Sequence, residues 1–484
     1  MKKIIALIIA IIMLASLVTI PTFAEELEFV APDDTWTADA DGNFTISDVG
    51  DLLAFSVSST INGYYAGKTV KLAEDIDMTG IEWFPVAKFM GTFDGNGHAI
   101  KGVKLVAQTG RLGFFTLIEN ATIQNVRFLD FYVSCAQTDN TNCVGLIAGA
   151  ANHACFFKNV YTSGTVSASI RASGFVGAPN TQHTGVITFE NCATSAKLVS
   201  QRAGGFVAQV HPYTTVKFTD CAFFGDLSEA GRWSSGFTGL TVGEIEMTRC
   251  VSYANVSSEA SKEIGSLVFL DHQNNDQAKA AKSKVTLEDC YAATATGYYA
   301  IGTQDARGWA FELTVKYGGT EVYHKLGEEE STLTADREAI EAATQYIACG
   351  NTVNVTKDNF AAKMPTFTTW ADAGMTATYM AGKTVDVFVP ASVKTLMDAP
   401  FTPKVEEQQP TDTEPTETEP TEETQPTVTE PTATETQANA TEAPTSDTQT
   451  TGETGCASAI GVSALAVFAL AGGAMMIARK RRED

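Results

Sequence analysis

Residues 204–207 read Gly-Gly-Phe-Val, and after a polar turn residues 218–221 read Phe-Thr-Asp-Cys. The first of these elements, a glycine followed by an apolar run, occurs six times along the middle of the chain, at Gly113, Gly145, Gly174, Gly205, Gly236 and Gly265. The glycines stand 29 to 32 residues apart, and such a period is typical of repeat proteins. A unit of this size cannot bury its apolar face alone, so we expect successive units to stack into one continuous core.

The second element ends each unit with a polar residue followed by a small apolar residue. Aligning its six copies places the small residues at one position, occupied by Val126, Val160, Cys192, Cys221, Cys250 and Cys290. The polar residues just before them are Asn125, Asn159, Asn191, Asp220, Arg249 and Asp289. Stacked parallel strands lie about 4.8 Å apart, so equivalent residues lie over one another. We therefore expect an inward stack of small residues beside a polar ladder at a turn.

The composition of the units favours strands. They are rich in Val, Thr, Phe and Gly and lack long stretches of period 3.6, which argues against a helical solenoid. We predict an all-β fold, a right-handed parallel β-helix (solenoid) with short capping helices, a disordered stalk and a C-terminal transmembrane helix. Before the repeats, Asp48 precedes an apolar helical pattern and predicts an N-terminal helix, and residues 68–72 predict the first strand.

The two elements together resemble the GLUG-type repeats of Gram-positive surface proteins, and residues 204–227 are the closest copy. Upstream, residues 89–100 (Phe-Met-Gly-Thr-Phe-Asp-Gly-Asn-Gly-His-Ala-Ile) resemble the opening strand block of right-handed β-helix proteins. The resemblance covers roughly residues 44 to 300. It implies the fold, but it implies little chemistry, because these repeats occur in surface proteins of varied and mostly undetermined roles.

Both ends of the chain predict an exported, membrane-anchored protein. Lys2, Lys3, an apolar run and Ala24 before Glu25 are typical of a secretory signal peptide. Residues 457–478 are apolar and uncharged, long enough to span a bilayer, and a basic cluster at 479–482 follows on the predicted cytoplasmic side. Cell-wall attachment stays open, because residues 451–455 keep the Thr-Gly of a sorting motif but lack Leu-Pro. Cys456 is interpreted as a small residue at the membrane interface, with acylation or processing there as the alternative.

Composition places the segment boundaries. Residues 405–455 are almost entirely Thr, Glu, Pro, Gln and Ala, with 13 acidic residues and no Lys or Arg, and predict a disordered stalk. After Cys290 the repeat loses its regular pattern, and a helix capped by Thr334 is predicted to follow. Together these features predict a C-terminal cap. The predicted segments are a signal peptide (1–24), an N-terminal cap with first strands (25–80), a parallel β-helix (81–300), a C-terminal cap with a small appended β unit (301–404), the stalk (405–455) and a transmembrane anchor with a basic tail (456–484).

The net charge of −24 excludes a general affinity for nucleic acid. No cofactor is expected. Asp39 begins a sequence like a calcium loop, but Phe44 and Gly50 replace its required glycine and acid, so no metal is expected there. Of the nine cysteines, those in the stack should act as small buried residues. Cys135, Cys143 and Cys155 leave one disulfide open.

A basic stripe is the best candidate site. Arg171, Arg202 and Lys262 each stand three residues before a repeat glycine, Arg232 stands four before and Arg111 two before. Stacking would align them along one edge, where guanidinium groups suit carboxylated or sulphated ligands. Trp233 and Tyr213 would add aromatic surface for sugar rings. The alternative interpretation is a solvated surface paired with neighbouring acids. Four histidines follow the glycine strands, namely His153, His183, His211 and His272, and a cluster or a scattered surface set are both open.

The sequence predicts an adhesin-like surface binding protein whose ligand is a glycan, a cell-wall polymer or another surface protein. An extracellular polysaccharide lyase or glycoside hydrolase of β-helix type is the alternative, since such enzymes share this fold, but fold alone does not transfer activity. The repeats show no recurrent pair of acids on one strand, which such chemistry needs, and no catalytic residue is assigned. A structural surface spacer is the third hypothesis.

Overall fold

The computed structural model describes residues 27–59, 65–108, 110–136, 138, 142–179, 185–256, 264–270, 283–292, 299–303, 311–317, 319–327, 375–379 and 386–404. The predicted signal peptide, stalk, anchor and Thr334-capped helix lie outside these residues. The described part is all-β, a parallel β-solenoid of about seven turns with few helices.

The strands follow one another in the order of the chain. The N-terminal strands are β1 (Phe44–Ile46), β2 (Thr69–Leu72), β3 (Ile76–Asp77), β4 (Thr92–Asp94), β5 (Ala99–Lys101) and β6 (Lys104–Ala107). The first two coils contain β7 (Arg111–Leu112), β8 (Phe115–Glu119), β9 (Thr122–Cys135), β10 (Cys143–Gly145), β11 (Ala148–Asn152) and β12 (Cys155–Ala168).

Coils 3 to 5 have five short strands each. Coil 3 contains β13 (Arg171–Ser173), β14 (Val176–Pro179), β15 (Gly185–Glu190), β16 (Ala193–Thr194) and β17 (Lys197–Val199). Coil 4 contains β18 (Arg202–Gly204), β19 (Val207–Val210), β20 (Thr214–Thr219), β21 (Ala222–Phe223) and β22 (Asp226–Leu227). Coil 5 contains β23 (Ser234–Ser235), β24 (Thr238–Thr241), β25 (Glu244–Thr248), β26 (Val251–Ser252) and β27 (Asn255–Val256).

The remaining strands complete the solenoid and a separate pair. They are β28 (Ile264–Leu270), β29 (Ser283–Glu288), β30 (Tyr291–Ala292), β31 (Tyr299–Thr303), β32 (Phe311–Tyr317), β33 (Thr320–Gly327), β34 (Met375–Tyr379) and β35 (Asp386–Pro390). A 12-stranded sheet collects β7, β8, β10, β11, β13, β14, β18, β19, β23, β24, β28 and β31, and 21 others form a second sheet. The solenoid ladders are parallel, except that β33 pairs antiparallel with β32. β34 and β35 form an antiparallel pair of their own.

Aromatic rings stack from coil to coil in the core. Phe175, Phe206 and Phe237 lie in one column, with ring centroids 4.8 Å apart at each step and planes within 13°. Phe157, Phe189 and Phe218 make a second column with steps of 4.7 and 5.0 Å. Because these spacings equal the strand separation of a sheet, each repeat places the same side chain over its equivalent.

The repeat glycines occupy two neighbouring columns rather than the single column that the sequence suggests. Gly145 pairs with Ser173, and Gly204 pairs with Ser235, so Gly174, Gly205 and Gly236 stand one residue later than Gly113, Gly145 and Gly265. Gly205, in the second column, has no room for a side chain. A Cβ at Gly205 would lie 1.9 Å from the carbonyl oxygen of Gly236 in the next coil. Glycine is therefore required there by space.

The predicted polar ladder forms at a turn. All six of its residues have φ between 50° and 54°, the left-handed conformation that Asn and Asp tolerate best among residues with side chains. Asn159 donates through Nδ2 to Oδ1 of Asn125 at 3.0 Å, and Arg249 donates to both carboxylate oxygens of Asp220 at 2.6 and 2.8 Å. The small residues that follow are buried, which confirms the inward stack.

The predicted N-terminal helix is confirmed as α1 (Val49–Ser58). Asp48 caps it, since its carboxylate accepts from the N–H of Asp51 at 2.9 Å. Leu52 and Phe55 are fully buried against the first strands. Among the described residues no helix is long and apolar enough to cross a membrane, and the predicted span at 457–478 lies outside them.

The C-terminal described segment lies against early strands. After α2 (Ala391–Asp398), buried Arg127 donates to the carbonyl oxygens of Ala399 at 2.6 Å and Pro400 at 3.2 Å. Asp75, also buried, accepts from the N–H of Thr402 at 2.7 Å and lies 3.5 Å from the Arg127 guanidinium. Residues 399–404 are thereby held at β3 and β9.

Candidate functional site

Four arginines, from coils 1, 3, 4 and 5, lie along one edge of the 12-stranded sheet. Arg171 pairs directly with Arg202 in the parallel register, and Arg111 pairs with Cys143, whose neighbour in the next coil is Arg171. Arg232 lies one coil beyond Arg202, immediately before Trp233. We call Arg111, Arg171, Arg202 and Arg232 the arginine row. The stacking predicted from the sequence therefore brings these residues together, whereas Lys262 lies outside the described residues.

Gln209 joins two members of the row. Its side-chain oxygen accepts from Nε of Arg171 and, at 3.2 Å, from Nη1 of Arg202. Arg171 also donates to the carbonyl oxygen of Asn142 at 3.3 Å and is only 6% exposed. Arg171 is thus a buried residue that fixes Gln209, because β19 packs against β13, and the predicted basic stripe includes one arginine that is covered by protein.

Trp233 lies beneath two other arginines. The guanidinium carbons of Arg202 and Arg232 lie 4.9 and 4.4 Å from its ring centroid. Both distances fall within the range of cation–π attraction, which holds each guanidinium in place while its N–H groups remain directed around the plane. Arg232 is exposed, Arg202 is half-buried and Arg111 is exposed. Three arginines of the row therefore reach solvent.

His211 lies at the inner side of the row. It is buried, and its Nδ1 lies 3.4 Å from Nε2 of Gln209. Burial, reinforced by the charges of Arg171, Arg202 and Arg111, lowers the pKa of His211 to about 4. The ring is consequently neutral near pH 7, where it can exchange hydrogen bonds without adding another positive charge.

The cysteines near and beyond the row are thiols. All seven described cysteines are buried and outside any disulfide, so the described residues contain no bridge among Cys135, Cys143 and Cys155. Burial raises the pKa of Cys143, although Arg171 and Arg111 act in the opposite direction. The stacked thiols of Cys221, Cys250 and Cys290 have pKa values raised well above the ordinary value by burial. They are packing groups, as their place in the repeat predicts.

The other predicted aromatic and histidine positions are dispersed. Tyr213 is 57% exposed, with φ of 66°, in the turn two residues after His211. His153 follows Asn152, which pairs with Glu119 in coil 1, so it lies apart from His211. His183 and His272 fall outside the described residues. Within the described ranges, no group of three or more His, Cys, Asp or Glu side chains could hold a metal ion.

Sequence reasoning missed Gln209, which organises the row. In the preceding coils the corresponding part of the strand carries alanine, at Ala150 and Ala178, and Gln209 pairs with Leu240 in the next. A long amide in a column of small or apolar residues is a signal that could have identified it. It is buried, and a buried amide needs hydrogen-bond partners, which Arg171, Arg202 and His211 supply.

The fold defines the class as a parallel β-solenoid, and one edge of its 12-stranded sheet carries two arginines packed on an indole ring. No family model matches the chain. Over 175 residues, 31% of this chain, it is 29% identical to Halomucin of Haloquadratum walsbyi, and the match spans 2% of the length of Halomucin. A solved structure from Bacteroides ovatus, provisionally assigned as an immunoglobulin A1 protease, shares 15% identity over 62% of this chain and 84% of that one, with a TM-score of 0.35. Neither similarity assigns the chain to a family.

Proposed function

We propose that this chain is an exported, cell-surface-anchored binding protein of the adhesin-like kind, whose right-handed β-helix belongs with GLUG-type repeat proteins. Its arginine row binds the anionic groups of a glycan, a cell-wall polymer or another surface protein. The observation that carries the proposal is the convergence of Arg202 and Arg232 on Trp233, with Gln209 linking Arg202 to Arg171.

The ends of the sequence support the location. A signal-like segment at residues 1–24 and an apolar stretch followed by basic residues at 457–482 are the pattern of a protein anchored outside the cell by its C-terminal part. The Thr/Glu/Pro-rich composition of residues 405–455 supports the proposed stalk between solenoid and membrane.

Physical chemistry supports binding at the row. Guanidinium groups bind carboxylates and sulphates through two parallel hydrogen bonds, and this geometry is most effective when the side chain is already held in place. Gln209 and Trp233 hold Arg202, and Trp233 holds Arg232, so little conformational entropy remains to be lost when an anion binds.

The test is a binding screen of the purified full-length protein in detergent against acidic and neutral glycans, wall polymers and surface-protein fractions. An Arg202→Ala/Arg232→Ala variant should lose at least tenfold in affinity for the acidic ligands. Lys158→Ala/Lys217→Ala is the matched control, because it removes two cations of the other sheet and should bind as the parent does.

The same wells should be assayed for reducing sugars and unsaturated products. Binding without products, lost only in the arginine variant, is the expected result. Product formation would instead show a β-helix polysaccharide lyase or hydrolase. Absence of both binding and products would leave the structural spacer.

A further inference from the structure

We propose that the ligand of this site is a linear carboxylated polysaccharide that lies along the stacking direction of the coils, across the arginine row. The inference rests on the proposed function and specifies its ligand. It predicts recognition of a charge repeat rather than of a single anion.

The row is continuous across coils. Arg171 and Arg202 meet at one oxygen of Gln209, and Arg202 and Arg232 meet over one ring, that of Trp233. Arg111 extends the row on the other side, since its charge acts on both Cys143 and His211. Successive coils of a parallel solenoid are about 4.8 Å apart, so the row presents solvent-accessible cations from coils 1, 4 and 5 at multiples of that rise, with buried Arg171 of coil 3 between them. A polymer with regularly spaced carboxylates can engage several of them together.

Neutral polar groups and an exposed ring beside the row favour a sugar backbone. Gln209 and His211 are buried behind the row, and His211 is uncharged near pH 7, so neither adds charge beside the arginines. Tyr213, in the turn after His211, exposes 57% of its surface and provides an aromatic face for the apolar side of a sugar ring. A nucleic acid is disfavoured as the ligand, because protein domains that bind nucleic acids are strongly basic, whereas this chain has a pI of about 4.6.

Gln209 provides a sharp test of charge. Gln209→Glu keeps the shape and the acceptor oxygen that Arg171 and Arg202 use, so the fold should be retained. The new carboxylate would neutralise part of the row from within. We expect the variant to unfold no earlier than the parent and to bind acidic oligosaccharide at least tenfold more weakly.

The experiment measures binding of full-length protein to oligogalacturonates of one, two, four, six and eight residues by calorimetry, over a range of salt concentrations. Affinity should rise at least tenfold from the monosaccharide to the hexasaccharide and then level off when the row is spanned. Replacing Arg111 or Arg232 by Ala should each lower the slope of log affinity against log salt by about one, by the counterion argument that holds for other polyanions. Lys217→Ala is the control and should leave both affinity and slope unchanged.

The outcomes separate the two proposals. A monosaccharide that binds as tightly as the hexasaccharide would overturn alignment along the row while leaving an anion-binding site. Equal binding of methyl-esterified oligomers, or tighter binding of polyphosphate, DNA or an acidic peptide, would overturn the ligand class. Binding that Gln209→Glu leaves unchanged would overturn the arginine row as the site. Failure of every acidic probe, wall polymer and surface-protein fraction to bind would overturn the proposed function itself.

Discussion

The two sheets of the solenoid stack equivalent residues in the same way, but one sheet pairs opposite charges between coils and the other brings like charges together. On the 21-stranded sheet, a cation in one coil meets an acid in the next, as in Lys158 with Glu190 at 2.8 Å and Lys217 with Glu246 at 2.7 Å. Along the arginine row, cations stack towards cations. We call the first arrangement the charge ladder. Because the parallel register superimposes equivalent positions, alternating the sign of charge between repeats neutralises a surface, and repeating the sign concentrates charge for a partner.

The largest expected effect comes from breaking the register that both surfaces share. In Gly205→Ala the new Cβ would lie 1.9 Å from the Gly236 carbonyl oxygen and 2.3 Å from the Phe223 ring, so backbone must move. We expect a loss of about 3 kcal/mol or more in the free energy of unfolding, measured by urea denaturation. Gly80→Asn is the control, since its site is open and Asn tolerates positive φ. Equal stability of the two variants would contradict close stacking.

The next effect is a loss of stability in acid, which arises at His211 beside the arginine row. His211 has a folded-state pKa of about 4 against an ordinary 6.5, so the unfolded chain binds its proton first. Its contribution to stability is fully present above pH 6.5 and is lost as the pH falls through 4, by up to about 3 kcal/mol. Arg111, Arg171 and Arg202 are the charges that oppose protonation. Urea denaturation of parent and His211→Asn at pH 7 and pH 4 should show a smaller loss in the variant. Parallel losses would refute the assignment.

A smaller effect is expected from the ion pair of Asp220 and Arg249 in the polar ladder. Asp220→Asn keeps a residue that tolerates the observed φ of 54° but removes the charge that accepts both Arg249 bonds. The free energy of unfolding should fall by about 1 to 2 kcal/mol, as for other hydrogen bonds to charged groups. Thermal unfolding of Asp220→Asn measures this loss. It is compared with that of Asn191→Asp, which instead adds a charge in the same column. No change in Asp220→Asn would show that the pair adds nothing.

The smallest effect should come from the exposed part of the charge ladder. Lys217 and Glu246 side chains are 42% and 43% exposed, so solvent screens their attraction. Lys217→Ala should cost less than about 1 kcal/mol, and that cost should shrink further in 1 M salt. Urea denaturation at both salt concentrations measures it. A loss as large as that of Asp220→Asn would mean that exposure does not govern ladder strength.

Much of the fold follows from local pattern. The glycine period predicts stacked coils, Asp48 predicts the start of α1, and the polar residue before each small residue predicts a ladder at a turn, whose left-handed conformation only the structure shows. The division of the glycines into two columns could not be read from spacing, because turns of different length change the number of residues per coil. Only the pairing of Gly145 with Ser173 and of Gly204 with Ser235 fixes the offset.

The site was predictable in part. Equal offsets from the repeat glycines place Arg171 beside Arg202, and the structure agrees. The burial of Arg171 and the part played by Gln209 depend on how β13 packs against β19, which no periodicity encodes. The attachment of Arg127 to Ala399 joins residues 272 positions apart, and sequence pattern carries no information about such a contact.

The attachment of residues 399–402 to Arg127 and Asp75 determines which contacts bear a force applied to the C-terminal part of the chain. Tension applied beyond Lys404 reaches the solenoid first through the bonds of Arg127 and Asp75 to residues 399–402, at β3 and β9. In the proposed anchored state, drag on a bound cell would therefore strain this buried pair before it strained β32 and β33 at the other end. While the bonds hold, β32 and β33 carry no load. The contacts of Arg127 and Asp75 would therefore be the first to break under load.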